Sequence, residues 1–378
     1  MKIDTCKLKI ALAPMAGITD SAMRLMNKLG GANLVYSEMA HVNAISYNNQ
    51  QILNMLKASP FEFPYVVQLF GNDPKYFAHA VKIISTKGVP VMRYKPFNKK
   101  QLEFIENLVP SYQFPVSSHN DFINKFLDFQ KKLSSKNWAP ALPADRLGTS
   151  NLIPSGVDIN LGCPAKRVFG HGSGAALWKN LPKIRKILEA VLLNTKLPVS
   201  IKVRTSVANI TILDLLETIK DLPLTRVMIH GRSYQQGFSG EIDTAIIKKT
   251  IKKYSQFEFW VNGGIVDRKS ALSTARKTGC PNLGIARGAL CNPLLAEKIN
   301  NLENSSTRKL ASLITLNCLL AYIHSILAFQ SKGPRGIIEM RKHLTWYFKD
   351  FPGAKTWRKK LVGVESIKEI EKNLSTIL

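Results

Sequence analysis

The sequence is poor in cysteine, and its cysteines lie far apart. No two of the five form a C-x-x-C pair; they are Cys6, Cys163, Cys280, Cys291 and Cys318. Their odd number and wide spacing argue against a disulfide framework and against a zinc site. The sequence therefore predicts reduced thiols in a cytoplasmic protein that binds no metal.

Long apolar runs are also absent. The N-terminal stretch M-K-I-D-T-C-K-L-K-I-A-L-A-P-M-A-G contains an apolar run that is too short and too interrupted for a signal peptide. No later stretch approaches the length of a membrane span. We therefore expect a soluble protein with no membrane partner.

Acidic residues are scarce relative to basic ones. The 378 residues include 26 Asp and Glu against 53 Lys and Arg, which gives a formal net charge of +27. Such an excess favours a polyanionic partner, nucleic acid before membrane, although a solvated basic surface without a specific partner would look the same. With 45% hydrophobic residues the chain is not disordered, and its length predicts one large domain and a smaller one.

Eight short apolar runs recur along the chain, and helical spacing follows most of them. Continuous runs suit strands that are buried on both faces of a parallel sheet. Eight alternations of strand and helix predict an α/β fold, a (β/α)8 TIM barrel over residues 1–300. An open doubly wound sheet is the alternative, but its usual first turn, G-x-G-x-x-G, reads A-P-M-A-G-I-T-D here. The runs are Leu8–Ala13, Asn33–Ser37, Tyr65–Leu69, Val157–Leu161, Val199–Val203, Arg226–Ile229, Glu258–Val261 and Asn282–Ala286.

Polar residues or glycines follow the predicted strands at their carboxyl ends, where a barrel places its active site. Each of them alone has an ordinary explanation, a satisfied buried polar group or a tight turn. Eight polar or glycine-bearing strand ends at the same edge of the predicted barrel favour a functional site. They comprise Pro14 to Gly17, Glu38, Gln68, Asn160 with Cys163, Lys202 with Arg204, His230 to Arg232, Asn262 to Gly264 and Ala286 to Gly288.

The residue types at these ends indicate flavin mononucleotide (FMN) rather than a nicotinamide. Lys202 and His230 would stabilise negative charge on a ring, as a reduced flavin requires near its N1. Glycines let backbone amides approach a phosphate, and Arg287 adds charge. Amide side chains offer donors and acceptors to the edge of a planar heterocycle. The glycines are Gly263, Gly264 and Gly288, and the amides are Gln68 and Asn262.

A lone cysteine follows the fourth predicted strand, in D-I-N-L-G-C-P-A-K-R-V-F-G-H-G-S-G-A-A-L at 158–177. Taken by itself, Cys163 could be a small core residue, a nucleophile, a metal ligand or a proton donor. The residue type and its position do not choose among these four roles.

Several motifs together carry a resemblance to a known family. They are V-Q-L-F-G at 67–71, D-I-N-L-G-C-P-A-K-R-V at 158–168, G-S-G-A-A-L at 172–177, I-K-V-R at 201–204, I-H-G-R at 229–232, V-N-G-G-I at 261–265 and A-R-G-A-L at 286–290. With them, from A-P-M-A-G-I-T-D at 13–20 to R-K-H-L-T-W-Y-F-K at 341–349, the sequence resembles the tRNA-dihydrouridine synthase family. The phrases G-C-P-A-K-R-V and R-K-H-L-T-W-Y are most similar to the bacterial subfamily associated with position 17 of the D-loop.

The resemblance implies an FMN enzyme that uses NADPH or NADH to reduce the C5=C6 bond of particular uridines in tRNA. It implies that hydride passes from the flavin to C6 while Cys163 protonates C5 from the opposite face. It assigns Asn160 and Arg204 to the uracil edge or its phosphate. To FMN it assigns Pro14, Met15, Ala16, Gln68, Lys202, Asn262, Gly263, Gly264, Ala286 and Arg287, with His230 as a further neighbour of the flavin.

The resemblance also implies a C-terminal helical domain that binds tRNA. Residues 305–378 carry 13 Lys and Arg against 5 Asp and Glu. Apolar spacing predicts helices over Leu310–Ala328, Ile337–Phe348 and Leu361–Leu374. We expect the protein to act as a monomer, with phosphate contacts from Arg341, Lys342, His343, Lys355, Arg358, Lys359 and Lys360.

Two departures from the family are visible in the sequence. Ala286 stands where the family usually has glycine, so a methyl group could crowd the flavin phosphate. An insertion of about residues 88–155, with helical spacing over Phe122–Leu133, separates a predicted helix from the next predicted strand. Because it precedes a strand, we expect it on the N-terminal face of the barrel, away from the site, as a structural or partner-binding addition.

Two other functions remain open at this point. An FMN barrel oxidoreductase acting on a small molecule, of the dihydroorotate type, would share the flavin residues but would leave the basic charge unexplained. A non-catalytic RNA-binding protein, whose barrel has lost its enzymatic activity, would explain the basic charge. The presence of Cys163, Lys202, His230 and Arg204 argues against it.

Overall fold

The structure, a computed structural model, describes residues 7–108, 117–135, 151–301 and 310–377. Eight strands form its central sheet: β1 Lys9–Leu12, β2 Leu34–His41, β3 Tyr65–Phe70, β4 Gly156–Asn160, β5 Val199–Arg204, β6 Arg226–His230, β7 Glu258–Asn262 and β8 Asn282–Ile285. Neighbouring strands are parallel, and they close in the order β1-β8-β7-β6-β5-β4-β3-β2. The predicted (β/α)8 barrel is confirmed, and each apolar run lies on one strand.

Sixteen α-helices lie in the part of the chain that the structure describes. They are α1 Ser21–Leu29, α2 Val42–Ser46, α3 Gln50–Met55, α4 Pro74–Lys87, α5 Lys99–Leu108, α6 Ser117–Ser134, α7 Lys166–Gly170, α8 Leu181–Leu193, α9 Ile212–Ile219, α10 Thr244–Lys253, α11 Arg268–Thr278, α12 Leu295–Asn300, α13 Leu310–Lys332, α14 Pro334–Tyr347, α15 Ala354–Leu361 and α16 Ile367–Ser375. The last four are a helical C-terminal region, as predicted. Leu361–Leu374 is not one helix, because α15 ends at Leu361 and α16 begins only at Ile367.

Strand β5 shows why the apolar runs are continuous and where polar residues enter them. Val199, Ile201 and Val203 point outward into the apolar layer between the strands and the surrounding helices. The alternate residues point into the barrel, since side chains on a strand alternate between faces. Ser200 binds a residue of the neighbouring strand there, and Lys202 lines a cavity at the carboxyl end.

The insertion follows α4 and precedes β4 along the chain. Its two ends pair as short antiparallel strands, Val89–Pro90 with Asn151–Leu152, just before β4 begins. Its aromatic residues then pack outward: the rings of Phe104 and Tyr322 of α13 are 4.5 Å apart, and those of Phe61 and Phe129 are 4.7 Å apart. The stretch W-A-P-A-L-P-A-D-R-L-G lies outside the described residues.

A second apolar core therefore combines three distant parts of the chain. Helix α1 presents Ala22, Leu25, Met26 and Leu29 at helical spacing on the face turned away from the strands. The insertion and the C-terminal helices cover that face and complete the core. The insertion is thus held by the protein's own helices.

Helix α13 contradicts the expectation that the chain has no apolar stretch as long as a membrane span. Its Leu313–Lys332 stretch is long and apolar enough to cross a membrane by length and composition, so the expectation that no stretch reaches that length was wrong. Of its most apolar window, 67% is buried inside the protein. Helix α13 is therefore a core helix of the protein, and its burial explains why it is apolar on all sides.

A buried ion pair lies where these parts meet. The Arg24 Nε of α1 donates to Glu62 Oε2 at 2.6 Å, and neither side chain has exposed surface. Ser21 donates to the same carboxylate and approaches the Tyr94 hydroxyl of the insertion at 2.8 Å. Arg24 also donates to the carbonyl of Lys57 at 2.7 Å. Every polar atom of the pair thus has a partner, which burial of two charges requires.

We expect Arg24→Met to lower the free energy of unfolding by about 3–5 kcal/mol, because it leaves the Glu62 carboxylate buried and unpaired. Urea unfolding followed by circular dichroism measures the change. Lys99→Met is the control, since it removes an exposed ion pair with Glu103 at 3.7 Å and should leave the unfolding midpoint unchanged. Equal stability of the two variants would contradict a stabilising role for the buried pair.

Candidate active site

A cavity of about 890 Å³ opens at the carboxyl ends of the barrel strands. Its volume suits a cofactor together with part of a substrate. Each of the eight strands, or the loop that directly follows it, contributes to its wall. The sequence-predicted residues that line it are Pro14, Met15, Ala16, Gln68, Asn160, Cys163, Lys202, Arg204, His230, Asn262, Gly263, Gly264, Ala286 and Arg287.

The cavity wall carries positive charge and no carboxylate. No Asp or Glu among the described residues lines it, whereas six cationic side chains do. Cations that share a cavity repel one another and attract an anion. The wall is therefore built for an anionic ligand; the six are Lys166, Lys202, Arg204, Arg232, Arg287 and Lys349.

Lys202 shows the effect of this repulsion. Burial inside the barrel, followed by the nearby Arg204, lowers the pKa of Lys202 to about 8. Both causes disfavour the charged ammonium. An anion bound beside Lys202 would reverse the shift.

His230 is buried and neutral. Burial and the surrounding cations, Lys202 and Arg204 first among them, lower its pKa to about 2. It therefore acts as a neutral imidazole and can stabilise an anion only by donating one N–H. Its Nδ1 has no hydrogen-bond partner among the described residues, which leaves that atom available to a ligand.

Cys163 lies on the turn that follows β4 and is half-buried. Burial raises the pKa of its thiol above the ordinary value of 9.0, so the thiol is protonated near neutrality. Gly174, at φ +62°, packs directly against it: a Cβ there would lie 3.2 Å from the Cys163 Cβ. Gly174 of G-S-G-A-A-L is therefore needed for this close approach.

The late glycines line the cavity. Gly263 and Gly264 have φ values of +123° and +70°, which favour glycine. Neither amide has a hydrogen-bond partner within the described ranges. Ala286 has φ −128°, which lies outside the left-handed region that favours glycine.

Arg204 lines the cavity, but two of its three guanidinium nitrogens already donate hydrogen bonds to backbone carbonyl oxygens. Nε donates to Gly162 at 2.9 Å, and Nη1 donates to Ser233 and Gly237 at 2.6 and 2.9 Å. Its cation also lies over the ring of Phe238, 5.6 Å from the centroid. Arg204 thereby fixes two loops of the cavity mouth besides lending it charge.

The structure adds residues that the sequence reasoning did not assign. Arg232 has a buried Nη1 without a partner in the described part of the chain, although it stands in the I-H-G-R motif. Phe238 lies under both Arg204 and Arg287, and no motif pointed to it. Lys349, at the end of R-K-H-L-T-W-Y-F-K, brings the C-terminal region into the cavity wall.

None of the seven C-terminal residues predicted to contact phosphates lines the cavity, and three of them are bonded within the protein or buried. Arg341 donates to the Val364 carbonyl at 2.8 Å and pairs with Glu365 at 3.3 Å. Lys342 donates to the carbonyl of Gly17, next to the cavity. His343 is only 5% exposed, and burial holds its pKa well below the usual range. The expectation that His343 contacts a phosphate was wrong, because a buried neutral ring cannot reach one.

Comparison with known proteins agrees with this geometry. A model of the family described as dihydrouridine synthase (Dus) matches residues 11–90 and 144–378. The probable tRNA-dihydrouridine synthase 1 of Synechocystis sp. is 23% identical over 368 residues, which cover 97% of this chain and 85% of that protein. tRNA-dihydrouridine synthase B of Xanthomonas axonopodis pv. citri is 26% identical over 362 residues, which cover 93% and 86%.

Among solved structures, the one titled "Crystal structure of TcOYE with pHBA" aligns with a TM-score of 0.42 and 11% identity, over 78% of this chain and 91% of that one. The family match takes in the barrel strands and the C-terminal helices, and its gap falls within the insertion. The chain is therefore an enzyme of the dihydrouridine synthase family.

Proposed function

We propose that this enzyme uses FMN and NADPH to reduce the C5=C6 bond of uridines in tRNA, with Cys163 as the proton donor. One observation carries the proposal: a protonated thiol and a cluster of cations without a carboxylate face the same cavity. A neutral acid beside an anion-binding wall suits proton donation next to a reduced cofactor.

The residues of the cavity fit FMN. The free amides of Gly263 and Gly264, with Arg287 and the unpartnered Nη1 of Arg232, offer donors and charge to a phosphate. Lys202 offers the ammonium that a reduced flavin ring needs. When bound, reduced FMN would supply the hydride that goes to C6 of the uracil.

The chain's own residues would complete the reduction. The Cys163 Sγ–H bond breaks, its proton goes to C5, and the thiolate that remains is stabilised by Lys202 and Arg204 until solvent returns the proton. Asn160 lies beside the thiol and would hold the uracil edge. The Cys163 N–H donates to Asn160 Oδ1 at 2.9 Å, so the donor and the residue that orients the base share one turn.

The tRNA would be held by basic residues outside the cavity. A uridine in folded tRNA must be unstacked before it can enter a barrel. Lys166 and Lys349 lie at the cavity wall, and both are exposed. Helix α15 continues from there with exposed cations that suit the phosphate backbone: Lys355, Arg358, Lys359 and Lys360. We expect the enzyme to act on tRNA in the cytoplasm, as a monomer.

The proposal is tested by purifying the protein, recording its visible spectrum and incubating it with NADPH and unmodified tRNA. Flavin absorbance and a gain of two hydrogens on a D-loop uridine, found by nucleoside mass analysis, are the expected result. Flavin absorbance without that gain, together with turnover of a free small-molecule substrate, would assign another reaction. A colourless protein that reduces no tRNA would overturn the FMN assignment.

Cys163→Ala should lower dihydrouridine formation by about 100-fold or more while flavin absorbance and tRNA binding stay at wild-type levels, because only the proton donor is lost. Cys291→Ala, which removes a half-buried thiol outside the cavity, is the matched control. Single-turnover assays compare the three proteins. Wild-type rates in the Cys163 variant would remove the general-acid assignment.

FMN binding to the cofactor-free protein should weaken as pH rises from 7 to 9. The free protein holds the pKa of Lys202 at about 8 and an anionic ligand raises it, so binding takes up a proton above pH 8. Affinity then falls by up to about tenfold per pH unit. Flavin fluorescence titration measures the dissociation constant at each pH.

Lys202→Met should bind FMN more weakly at pH 7 and lose most of this pH dependence. Lys196→Met is the control, since Lys196 is exposed and precedes the opposite end of the same strand. A wild-type affinity that stays constant up to pH 9 would contradict the role given to Lys202.

A further inference from the structure

Three buried side chains connect the interior of the barrel to the turn that carries Cys163. Gln68 Nε2 donates to Asp158 Oδ2 at 2.7 Å. Asn160 Nδ2 donates to Gln68 Oε1 at 2.9 Å. Asn160 Oδ1 accepts from the Cys163 amide at 2.9 Å. Asp158 is fully buried and does not line the cavity, so any effect it has on a ligand passes through the other two side chains.

The Cys163 amide at one end and the Asp158 carboxylate at the other fix the direction of these hydrogen bonds. A backbone N–H can only donate, so the atom of Asn160 that faces Cys163 must be its oxygen. The amide nitrogen of Asn160 then faces Gln68, which must turn its oxygen toward it. The nitrogen of Gln68 therefore faces Asp158, whose Oδ2 must accept. A carboxylate is the side chain that meets this last requirement without competing as a donor.

We propose that Asp158 is a positioning residue that sets the orientation of the Gln68 and Asn160 amides and thereby holds the Cys163 turn in place. The inference rests on the proposed function and extends it to a residue beneath the cavity. The other oxygen, Oδ1, accepts from Ser200 at 2.6 Å and takes no part in orienting the amides.

The orientation also decides what the cavity floor can recognise. With their oxygens already engaged, Gln68 and Asn160 each keep one amide N–H for a ligand. Besides Gln68, Asn160 Nδ2 approaches only the weak acceptor Met39 Sδ, at 3.5 Å, among the described residues. The floor therefore presents donors, and the ligand edge that it fits carries carbonyl oxygens, as uracil and the flavin ring both do.

Two substitutions of similar size separate hydrogen-bond orientation from charge. Asp158→Asn can keep an oxygen toward Gln68 and turn its nitrogen toward the hydroxyl of Ser200, so orientation survives although the charge is lost. Asp158→Leu removes the acceptor altogether. The alternative role for Asp158 is that of a counter-charge to Lys202, which both variants would abolish. Ser200→Ala is the control that leaves Oδ2 untouched.

The first readout is the rate at which iodoacetamide alkylates Cys163, measured by peptide mass analysis; the second is tRNA reduction. Asp158→Leu should alkylate about tenfold faster, because a freed turn exposes the thiol, and should reduce tRNA about 10- to 100-fold more slowly. Asp158→Asn and Ser200→Ala should stay within about threefold of wild type in both. An unchanged alkylation rate in Asp158→Leu, or equal defects in Asp158→Leu and Asp158→Asn, would overturn the proposal.

A reciprocal exchange keeps the test decisive even where Asp158→Leu does not fold. Gln68→Glu alone places two carboxyl groups against each other and should speed alkylation of Cys163. Adding Asp158→Asn supplies a donor to Glu at position 68, which still accepts from Asn160, and should bring the rate back toward wild type. A double variant no slower than Gln68→Glu would refute the orientation role. Because alkylation needs neither flavin nor tRNA, failure of tRNA reduction in the wild type would count against the proposed function alone.

Discussion

The buried ion pair of Arg24 and Glu62 lies where the barrel meets the insertion, and Lys57, whose carbonyl accepts from Arg24, donates to the carbonyl of Ser331 in α13. Arg24 lies on the first helix after β1, and Glu62 lies just before β3. Ser21 extends the network to Tyr94 of the insertion. The loop that precedes this helix lines the cavity with Met15 and its neighbours. Packing around this helix thus positions one edge of the cavity, since a helix that shifted would move that loop.

The chemistry of the cavity depends on charge that the protein itself leaves uncompensated. Lys202 and His230 both have lowered pKa values because they are buried and because other cations lie nearby, while no carboxylate lines the wall in the described ranges. Such an arrangement costs folding free energy without a ligand and favours binding of an anion. Asp158 is a buried acid that lies below the cavity floor and accepts a hydrogen bond from the Gln68 side-chain amide.

The sequence predicted what depends on local pattern and missed what depends on tertiary partners. Apolar runs located the strands because both faces of each strand are buried, as in Val199–Val203. The polar strand ends located the cavity residues because parallel strands bring their carboxyl ends together. The burial of His343 was not predictable, since a histidine beside Arg341 and Lys342 looks exposed until the neighbouring helix is placed over it. Phe238 was missed because only its arginine neighbours reveal its position.

The second apolar core has a consequence for synthesis of the chain. The aromatic residues of the insertion, among them Phe104 and Phe126, are covered by helix α13, which is translated about two hundred residues later. At about 5–20 residues per second, the ribosome leaves that surface uncovered for on the order of ten seconds or more. During this interval the exposed apolar surface makes the nascent chain a suitable client for a chaperone that binds unfolded proteins. A fragment that ends before α13 would keep that apolar surface exposed.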